Sequence, residues 1–176
     1  MAKAPNMTTQ ASRRQFLKGD FRQQQMPVRP PWARSEPEFT SLCDRCGDCV
    51  AVCPEQILSS GSGGYPEVDF SAGSCTFCSD CVRACRPAAL YVVPGAKPWI
   101  PNLSIRESCL ALNGVDCRIC GEQCESRAIR FIHVLRSVAR PHVSGDQCTG
   151  CGACVGPCPT GAITLSVNHR QGNQQQ

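Results

Sequence analysis

The stretch that decides the fold is CDRCGDCVAVCP at residues 43–54, where four cysteines follow one another at intervals of three, three and four residues. The same spacing recurs at residues 75–85 and 148–158, and a widened version occupies residues 109–124. Internal repeats must be recognised before a fold is assigned, because each copy is one structural unit. All sixteen cysteines of the 176-residue chain belong to these four groups.

This spacing is typical of ligands to iron-sulfur clusters. A C-x2-C-x2-C-x3-C loop wraps three thiolates around one cluster, while its fourth cysteine reaches the neighbouring cluster and is followed by proline. Pro54 and Pro159 occupy that position. We therefore predict four 4Fe-4S clusters, whose iron is bound by Cys43, Cys46, Cys49, Cys53, Cys75, Cys78, Cys81, Cys85, Cys109, Cys117, Cys120, Cys124, Cys148, Cys151, Cys154 and Cys158.

Zinc and disulfides are the alternatives, and the sequence disfavours both. Structural zinc sites use two C-x2-C pairs separated by a loop. Disulfide frameworks belong to secreted chains, whose signal contains an apolar run of about 7–15 residues, and we find none. A membrane-spanning helix would need about 20 apolar residues. We therefore expect reduced thiols, a cytoplasmic location and no membrane span.

Composition and charge point the same way. The hydrophobic fraction of 41% includes the cysteines, so the conventional core is thin and needs an inorganic or covalent staple. Residues 1–40 hold seven Lys or Arg against three acids, whereas the rest balances eleven against eleven. Four clusters would add about eight negative charges, with four thiolates around each. An acidic body repels phosphates, so we expect no nucleic-acid partner.

Patterns between the cysteines predict an α+β fold of two tandem bacterial-type ferredoxin-like modules, with small antiparallel hairpins and short helices. Hairpins are expected at residues 56–70, around a glycine-rich turn, and at residues 128–143. Three prolines in residues 93–101 suggest a boundary between the modules. We predict a basic, largely disordered arm at 1–40, modules at 41–95 and 96–168, and a disordered tail at 169–176. Small or branched apolar pairs after each fourth cysteine should cover the clusters, namely Ile57-Leu58, Ala89-Leu90, Ala128-Ile129 and Ala162-Ile163.

Cross-ligation within each module gives a specific hypothesis about which cysteines share a cluster. A pairing of the first group with the fourth is the open alternative. The hypothesis places Cys43, Cys46 and Cys49 with Cys85; Cys75, Cys78 and Cys81 with Cys53; Cys109, Cys117 and Cys120 with Cys158; and Cys148, Cys151 and Cys154 with Cys124.

The third group departs from the others because seven residues separate Cys109 from Cys117. A longer loop could admit water or a partner and shift the potential of its cluster. Alternatively, Asn113-Gly114 forms an inserted turn around an unchanged four-thiolate site.

The N-terminal arm contains SRRQFLK at residues 12–18, which matches the twin-arginine export pattern. Residues 19–25 are polar where an export signal would be apolar, so we interpret the motif as a binding site for a chaperone that reads such signals, or as a solvated tail. Trp32 either docks on a partner or packs on the first module. No catalytic carboxylate pair, phosphate loop or histidine ligand spacing is evident, so we do not expect an enzyme.

The chain resembles the NapF family, the ferredoxin-type accessory proteins of periplasmic nitrate reductase systems. The resemblance rests on Ser12-Arg13-Arg14, residues 29–32 and 63–66, and the widened third group. It implies a cytoplasmic protein that binds the precursor of the molybdenum-containing catalytic subunit and aids its maturation before export. The alternative is an electron carrier feeding a quinol or nitrate-reducing respiratory chain.

Overall fold

The computed structural model describes residues 27–169, which form three two-stranded antiparallel sheets and four short helices. The strands are β1 Leu58–Ser60, β2 Pro66–Val68, β3 Ile100–Ile105, β4 Ile129–Ile132, β5 Arg140–Val143 and β6 Ile163–Asn168. The helices are α1 Glu36–Leu42, α2 Asp48–Ala51, α3 Asp80–Ala84 and α4 Ile119–Glu122. This confirms the predicted small antiparallel sheets and short helices. We refer to residues 27–95 as the first half and to residues 96–169 as the second half.

Both predicted hairpins are present. Strands β1 and β2 are joined through a 3-10 turn at Ser62–Gly64, where Gly63 and Gly64 have φ of 67° and 81°. Such positive φ values favour glycine, which explains the glycine-rich turn. Strands β4 and β5 pair from Ile129 opposite Val143 to Ile132 opposite Arg140.

The third sheet joins β3 to β6 over six residues and was not predicted. Pro101 lies inside β3, opposite Val167, although the prolines of this segment suggested a break. A two-stranded sheet consists of edge strands only, so a proline can turn its missing N–H away from the partner. The first half has a shorter counterpart, an antiparallel bridge between Ala33 and Leu90.

Residues 27–40 correct the prediction of a largely disordered arm over residues 1–40. Arg29 is only 4% exposed, and Pro30, Ala33 and Phe39 are also buried against the first half. The Arg29 guanidinium donates to Glu36 at 2.7 Å (Nη2 to Oε1) and 3.0 Å (Nε to Oε2). A buried charge that is paired and hydrogen-bonded in this way fixes the segment to the body. We call residues 28–34 the strap.

Most of the remaining predictions about the ends concern residues that the structure does not describe. The twin-arginine motif at residues 12–18, the disorder expected for residues 1–25, and residues 170–176 of the tail predicted to be disordered over 169–176 lie outside residues 27–169. His169, the first residue of that predicted tail, is ordered and packs edge-on against Trp99. Trp32 is inside that range, and its ring packs edge-on against Phe77 with centroids 6.3 Å apart. Within residues 27–169 no helix has the length and apolar character needed to cross a membrane.

Candidate iron-sulfur centres

Two cavities show how the cysteines are grouped. One is lined by Cys53, Cys75, Cys78 and Cys81, and the other by Cys109, Cys117, Cys120 and Cys158. In both, three cysteines come from one group and the fourth from the other group of the same half. We call these arrangements site II and site III.

The other two sets follow from the thiols that act electrostatically on one another. Besides burial, the neighbouring thiols of Cys43, Cys85 and Cys46 raise the pKa of Cys49, and we call these four residues site I. In the same way, burial and the neighbouring thiols of Cys151, Cys148 and Cys124 raise the pKa of Cys154, and we call these four residues site IV. The structure thus places the cysteines as the cross-ligation hypothesis predicts, and not in the alternative that joins the first group to the fourth.

The predicted apolar cover is present at all four sites. Both residues of every pair are buried, the most exposed being Leu58 at 6%. Ile57 and Leu58 line site II, while Ala162 and Ile163 line site III. Ala89 and Leu90 pack in the hydrophobic cluster that includes Cys43, Cys49 and Cys85 of site I, and Ile129 packs beside Cys154 and Cys124 of site IV. Apolar walls exclude water from the sulfur ligands, and solvent exclusion is one of the factors that set the reduction potential of a cluster.

Left-handed backbone shapes the three regular loops, a feature that sequence reasoning missed. In each, the residues immediately before and after the second cysteine have positive φ: Arg45 and Gly47, Phe77 and Ser79, and Gly150 and Gly152. Three of these six residues are not glycine, so composition alone did not reveal the pattern. Consecutive backbone reversals let a short loop curl around a centre and direct its three thiols to one side.

The third group accommodates its extra residues by closing them into a compact turn. The Val115 amide donates to the Leu110 carbonyl and the Gly114 amide to the Ala111 carbonyl, which is the Schellman pattern with Gly114 at φ 82°. The Asn113 side chain donates to the carbonyls of Glu107 and Cys109. The inserted-turn interpretation therefore describes this loop.

Burial is the largest influence on the pKa of the most enclosed cysteine thiols. It raises the pKa of the Cys81 and Cys154 thiols to about 12, with further contributions from neighbouring cysteines. At Cys158 burial also acts upwards, but amide donors at Ala162 and Thr160 outweigh it and lower the pKa. A thiol with a pKa near 12 is protonated at neutral pH, so binding a metal there must release a proton.

The thiols fit a cluster better than a single ion. Among residues 27–169 no three His, Cys, Asp or Glu side chains converge closely enough to hold one metal ion. Zinc would draw four sulfurs to about 2.3 Å from one point. The four thiols of an iron-sulfur cube bind four different iron atoms and so surround a larger centre, which agrees with the four cysteines that line each of the cavities of sites II and III.

Comparison with known proteins agrees with this chemistry. A family model described as a 4Fe-4S dicluster domain matches residues 42–89, and one described as a 4Fe-4S binding domain matches residues 141–164. The ferredoxin-type protein NapF of Escherichia coli K12 is 39% identical over 93% of this chain and 99% of that protein. The chain belongs to the NapF family. NapF of Haemophilus influenzae is 43% identical over 88% of the chain and 93% of its own length.

Relatives outside the NapF family carry related names. The methylamine utilization ferredoxin-type protein MauM of Methylophilus methylotrophus is 36% identical over 82% of this chain and 71% of that protein. The chain is thus an iron-sulfur protein of ferredoxin type, and the resemblance to NapF is confirmed. The third group, residues 109–124, lies outside both ranges matched by the 4Fe-4S models.

Proposed function

We propose that the chain carries four 4Fe-4S clusters, one in each of sites I to IV, in two tandem ferredoxin-like modules over residues 41–95 and 96–168. The count of four depends on site III, because the matched 4Fe-4S family models do not include residues 109–124, which form its main loop. Support comes from the cavity lined by Cys109, Cys117, Cys120 and Cys158, which repeats the composition of site II. Each half also combines one hairpin with one pairing of its terminal segments, β3 with β6 or Ala33 with Leu90.

Iron and sulfide analysis after anaerobic purification tests the count. Four clusters give about 16 iron atoms per chain, four for each cube. Cys117→Ser should lower the iron content by up to about one quarter and remove one cluster signal from the EPR spectrum. Ser108→Ala, an exposed neighbour in the same loop, is the control and should retain the wild-type content. Wild-type protein with about 12 iron atoms would contradict the proposal for site III.

The protein's own residues position and shield these centres. When bound, a 4Fe-4S cluster supplies one-electron redox chemistry. Amide donors aim at the sulfur ligands, from Leu90 to Cys85 at 3.4 Å and from Ala162 to Cys158 at 3.3 Å. Hydrogen bonds to sulfur stabilise negative charge there and so raise the potential. Cys46 and Cys78 are exposed, which leaves an edge of sites I and II within reach of a partner.

We further propose that this cytoplasmic protein binds the precursor of the catalytic subunit of periplasmic nitrate reductase and aids its maturation before export. It would supply electrons or iron-sulfur units and perform no catalysis of its own. Membership of the NapF family supports this role, together with exposed sulfur ligands that a large client can approach.

A capture experiment tests the role. Affinity-tagged chain should recover the cytoplasmic precursor and little of the exported mature subunit. Cells lacking the chain should contain a reductase deficient in cluster or molybdenum cofactor. The competing electron-carrier function predicts a fully loaded reductase that receives electrons slowly, and recovery of membrane redox partners instead. Either of those results would overturn the maturation role.

The arm at residues 12–18 adds a second proposed partner, a chaperone that reads twin-arginine signals. Support comes from the match of SRRQFLK to that signal without the apolar segment that would follow it. Replacing Arg13 and Arg14 with lysine keeps the charge and removes the paired guanidinium groups. Chaperone capture should be lost in that variant and retained in an Arg22→Lys control. Equal capture by both variants would contradict the interaction.

A further inference from the structure

The two halves meet where a ligand loop of one touches a ligand loop of the other. The backbone amide of Cys75 donates to the carbonyl of Cys151, with N and O 2.8 Å apart. Cys75 belongs to site II and Cys151 to site IV. The contact therefore joins two candidate centres directly, without an intervening element.

Aromatic side chains surround this contact. Phe77, which lies between Cys75 and Cys78, packs edge-on against Trp99 with ring centroids 5.8 Å apart. Trp99 is 1% exposed, and its indole N–H donates to the carbonyl of Thr149 at 3.0 Å. Thr149 lies in the group-four loop, so one buried tryptophan contacts the loops of both sites.

The group-four loop lacks side chains where Phe70 of the first half and Trp99 of the second half pack against it. A Cβ at Gly152 would overlap the ring of Phe70, and a Cβ at Gly150 would overlap the indole of Trp99. At Gly156 a Cβ would lie 3.2 Å from the carbonyl oxygen of Phe70. Phe70 itself is buried and packs edge-on against Trp99, 6.1 Å between centroids. These glycines permit a close approach that larger residues would prevent.

Gly47 shows that the loop conformation alone does not explain Gly152. The two glycines occupy the same position in groups one and four, directly after the second cysteine, and have φ of 82° and 83°. A Cβ at Gly47 would meet nothing within 4 Å. The backbone favours glycine at both positions, but only Gly152 is constrained by the opposite half.

We infer that the contact holds sites II and IV as neighbours, so that the four centres form one continuous row in the order I, II, IV, III. This inference rests on the proposed four clusters. Sites I and II adjoin through Cys49 and Cys81, which pack in the same hydrophobic cluster, and sites III and IV exchange their fourth cysteines. Phe70, Trp99 and Gly152 are the positioning residues of the central pair.

A row has a consequence for electron flow that two separate pairs lack. It has two end sites, I and III, and every site adjoins the next. A reduced protein donor at one end and an oxidised protein acceptor at the other are then connected through a single chain, the donor losing the electron that the acceptor gains.

Pulsed EPR on the dithionite-reduced full chain tests the order. A row of four reduced clusters has three neighbouring pairs that couple magnetically, whereas two independent modules have only two. Gly152→Ala should push Phe70 away and abolish the coupling between sites II and IV while leaving the couplings within each half. Gly95→Ala is the control, because Gly95 also has a positive φ of 75° and open space at its Cβ but lies outside the four cysteine groups, so this variant should retain all three couplings.

The outcomes are distinguishable from failure of the proposed function. Iron analysis of every sample shows first whether four clusters are present, and a wild-type count below four would refute the proposed clusters. With four clusters in both variants, an unchanged coupling pattern in Gly152→Ala overturns the row. If the Gly152→Ala variant does not bind its clusters, a crystal structure of the wild-type chain with clusters bound tests the contact between the halves directly. A Cys75 amide without contact to the Cys151 carbonyl there also overturns it.

Discussion

At the scale of single residues, one backbone conformation recurs behind every group. The third residue after each fourth cysteine is left-handed, with φ between 52° and 57°, and its amide donates to the carbonyl of that cysteine. This turn directs the following apolar pair inwards, over the cysteine sites. The four residues are Gln56, Ala88, Arg127 and Gly161.

Only Gly161 suits that conformation without cost, since a side chain in the left-handed region costs roughly 1–2 kcal/mol. Ala88→Gly should therefore raise the stability of the loaded protein by about 1 kcal/mol. Ala51→Gly in helix α2 is the opposite control and should lower stability by about 1 kcal/mol. The temperature at which the visible absorbance of the clusters bleaches reports both changes. Equal destabilisation by the two variants would contradict the argument.

His169 at the end of β6 makes stability depend on pH. Burial lowers its pKa from 6.5 to about 4, against a smaller opposite effect of Glu36, and Arg29 lowers it slightly further. Both ring nitrogens are buried without a hydrogen-bond partner among residues 27–169. The unfolded chain binds the proton more readily, so stability is intact above pH 6.5 and falls as pH drops towards 4, by up to about 3 kcal/mol.

The measurement compares thermal stability at pH 7 and at pH 5 in His169→Phe and in wild type. The variant should lose part of the pH dependence, because a phenyl ring packs against Trp99 without titrating. His142→Phe, an exposed replacement in β5, controls for the loss of a histidine as such. Parallel pH profiles for wild type and His169→Phe would show that another group is responsible.

At the scale of elements, the strap depends on one cation. The Arg29 guanidinium is paired with Glu36 and lies 5.3 Å from the ring centroids of both Phe39 and Tyr65. It also donates to the Pro66 carbonyl of β2 at 3.3 Å. One side chain therefore connects the strap, helix α1 and the first hairpin.

Arg29→Ala should destabilise the first half by about 2 kcal/mol, because it removes the hydrogen bonds to Glu36 and to the Pro66 carbonyl and the packing against two rings. Arg29→Lys keeps the charge but loses the bidentate geometry and should have an intermediate effect. Arg45→Ala is the control, since Arg45 also lies over Tyr65 but is exposed. Proteolysis of the strap, monitored by mass spectrometry, should accelerate most in Arg29→Ala, less in Arg29→Lys and not in Arg45→Ala. Cleavage at the wild-type rate would show that the arginine does not hold the strap.

The elements also show what sequence could predict. The hairpins were predictable because their strands are adjacent in the chain and separated by turn residues. The β3–β6 pairing joins residues about sixty positions apart, and Pro101 obscured β3. Leu103 and Ile105 do alternate with polar neighbours, which was the available signal. The burial of Arg29 could not be foreseen, because a basic residue before a helix is normally solvated.

At the scale of the whole molecule, cross-ligation makes each group responsible for a neighbouring site. Cys53 lies in the first group but faces site II, and Cys85 lies in the second group but influences Cys49 of site I. Cys53→Ser should therefore impair the cluster held by the second group, and Cys85→Ser the cluster held by the first.

Spectroscopic comparison with single-cysteine variants distinguishes these effects. Mössbauer or EPR spectra of each variant are compared with those of Cys46→Ser and Cys78→Ser. Variants that remove a ligand of the same site should have the same spectrum, even when the two cysteines belong to different groups. Cys53→Ser should resemble Cys78→Ser, while Cys85→Ser should resemble Cys46→Ser. Resemblance of Cys53→Ser to Cys46→Ser would show that the groups ligate independently.

The cysteine sets were accessible from sequence because their spacing is a direct consequence of wrapping a cube with a short loop. The contact between the halves was not, since nothing local marks Cys75 and Cys151 as neighbours. Gly150 and Gly152 were a weak signal, indistinguishable in sequence from Gly47, which meets no neighbour. Gly152 differs from Gly47 only because the Phe70 ring lies against it, and the sequence does not reveal that contact.

The exchange of fourth cysteines also sets an order for biosynthesis. Sites I and II both become complete once residue 85 has left the ribosome, before Cys154 and Cys158 have emerged. Sites III and IV share no cysteine with that pair and must wait for Cys154 and Cys158, close to the end of the chain. Cluster insertion during translation would thus proceed in two steps, and a ribosome stalled after Cys85 has emerged but before Cys154 has done so would already carry a first half able to hold its metal.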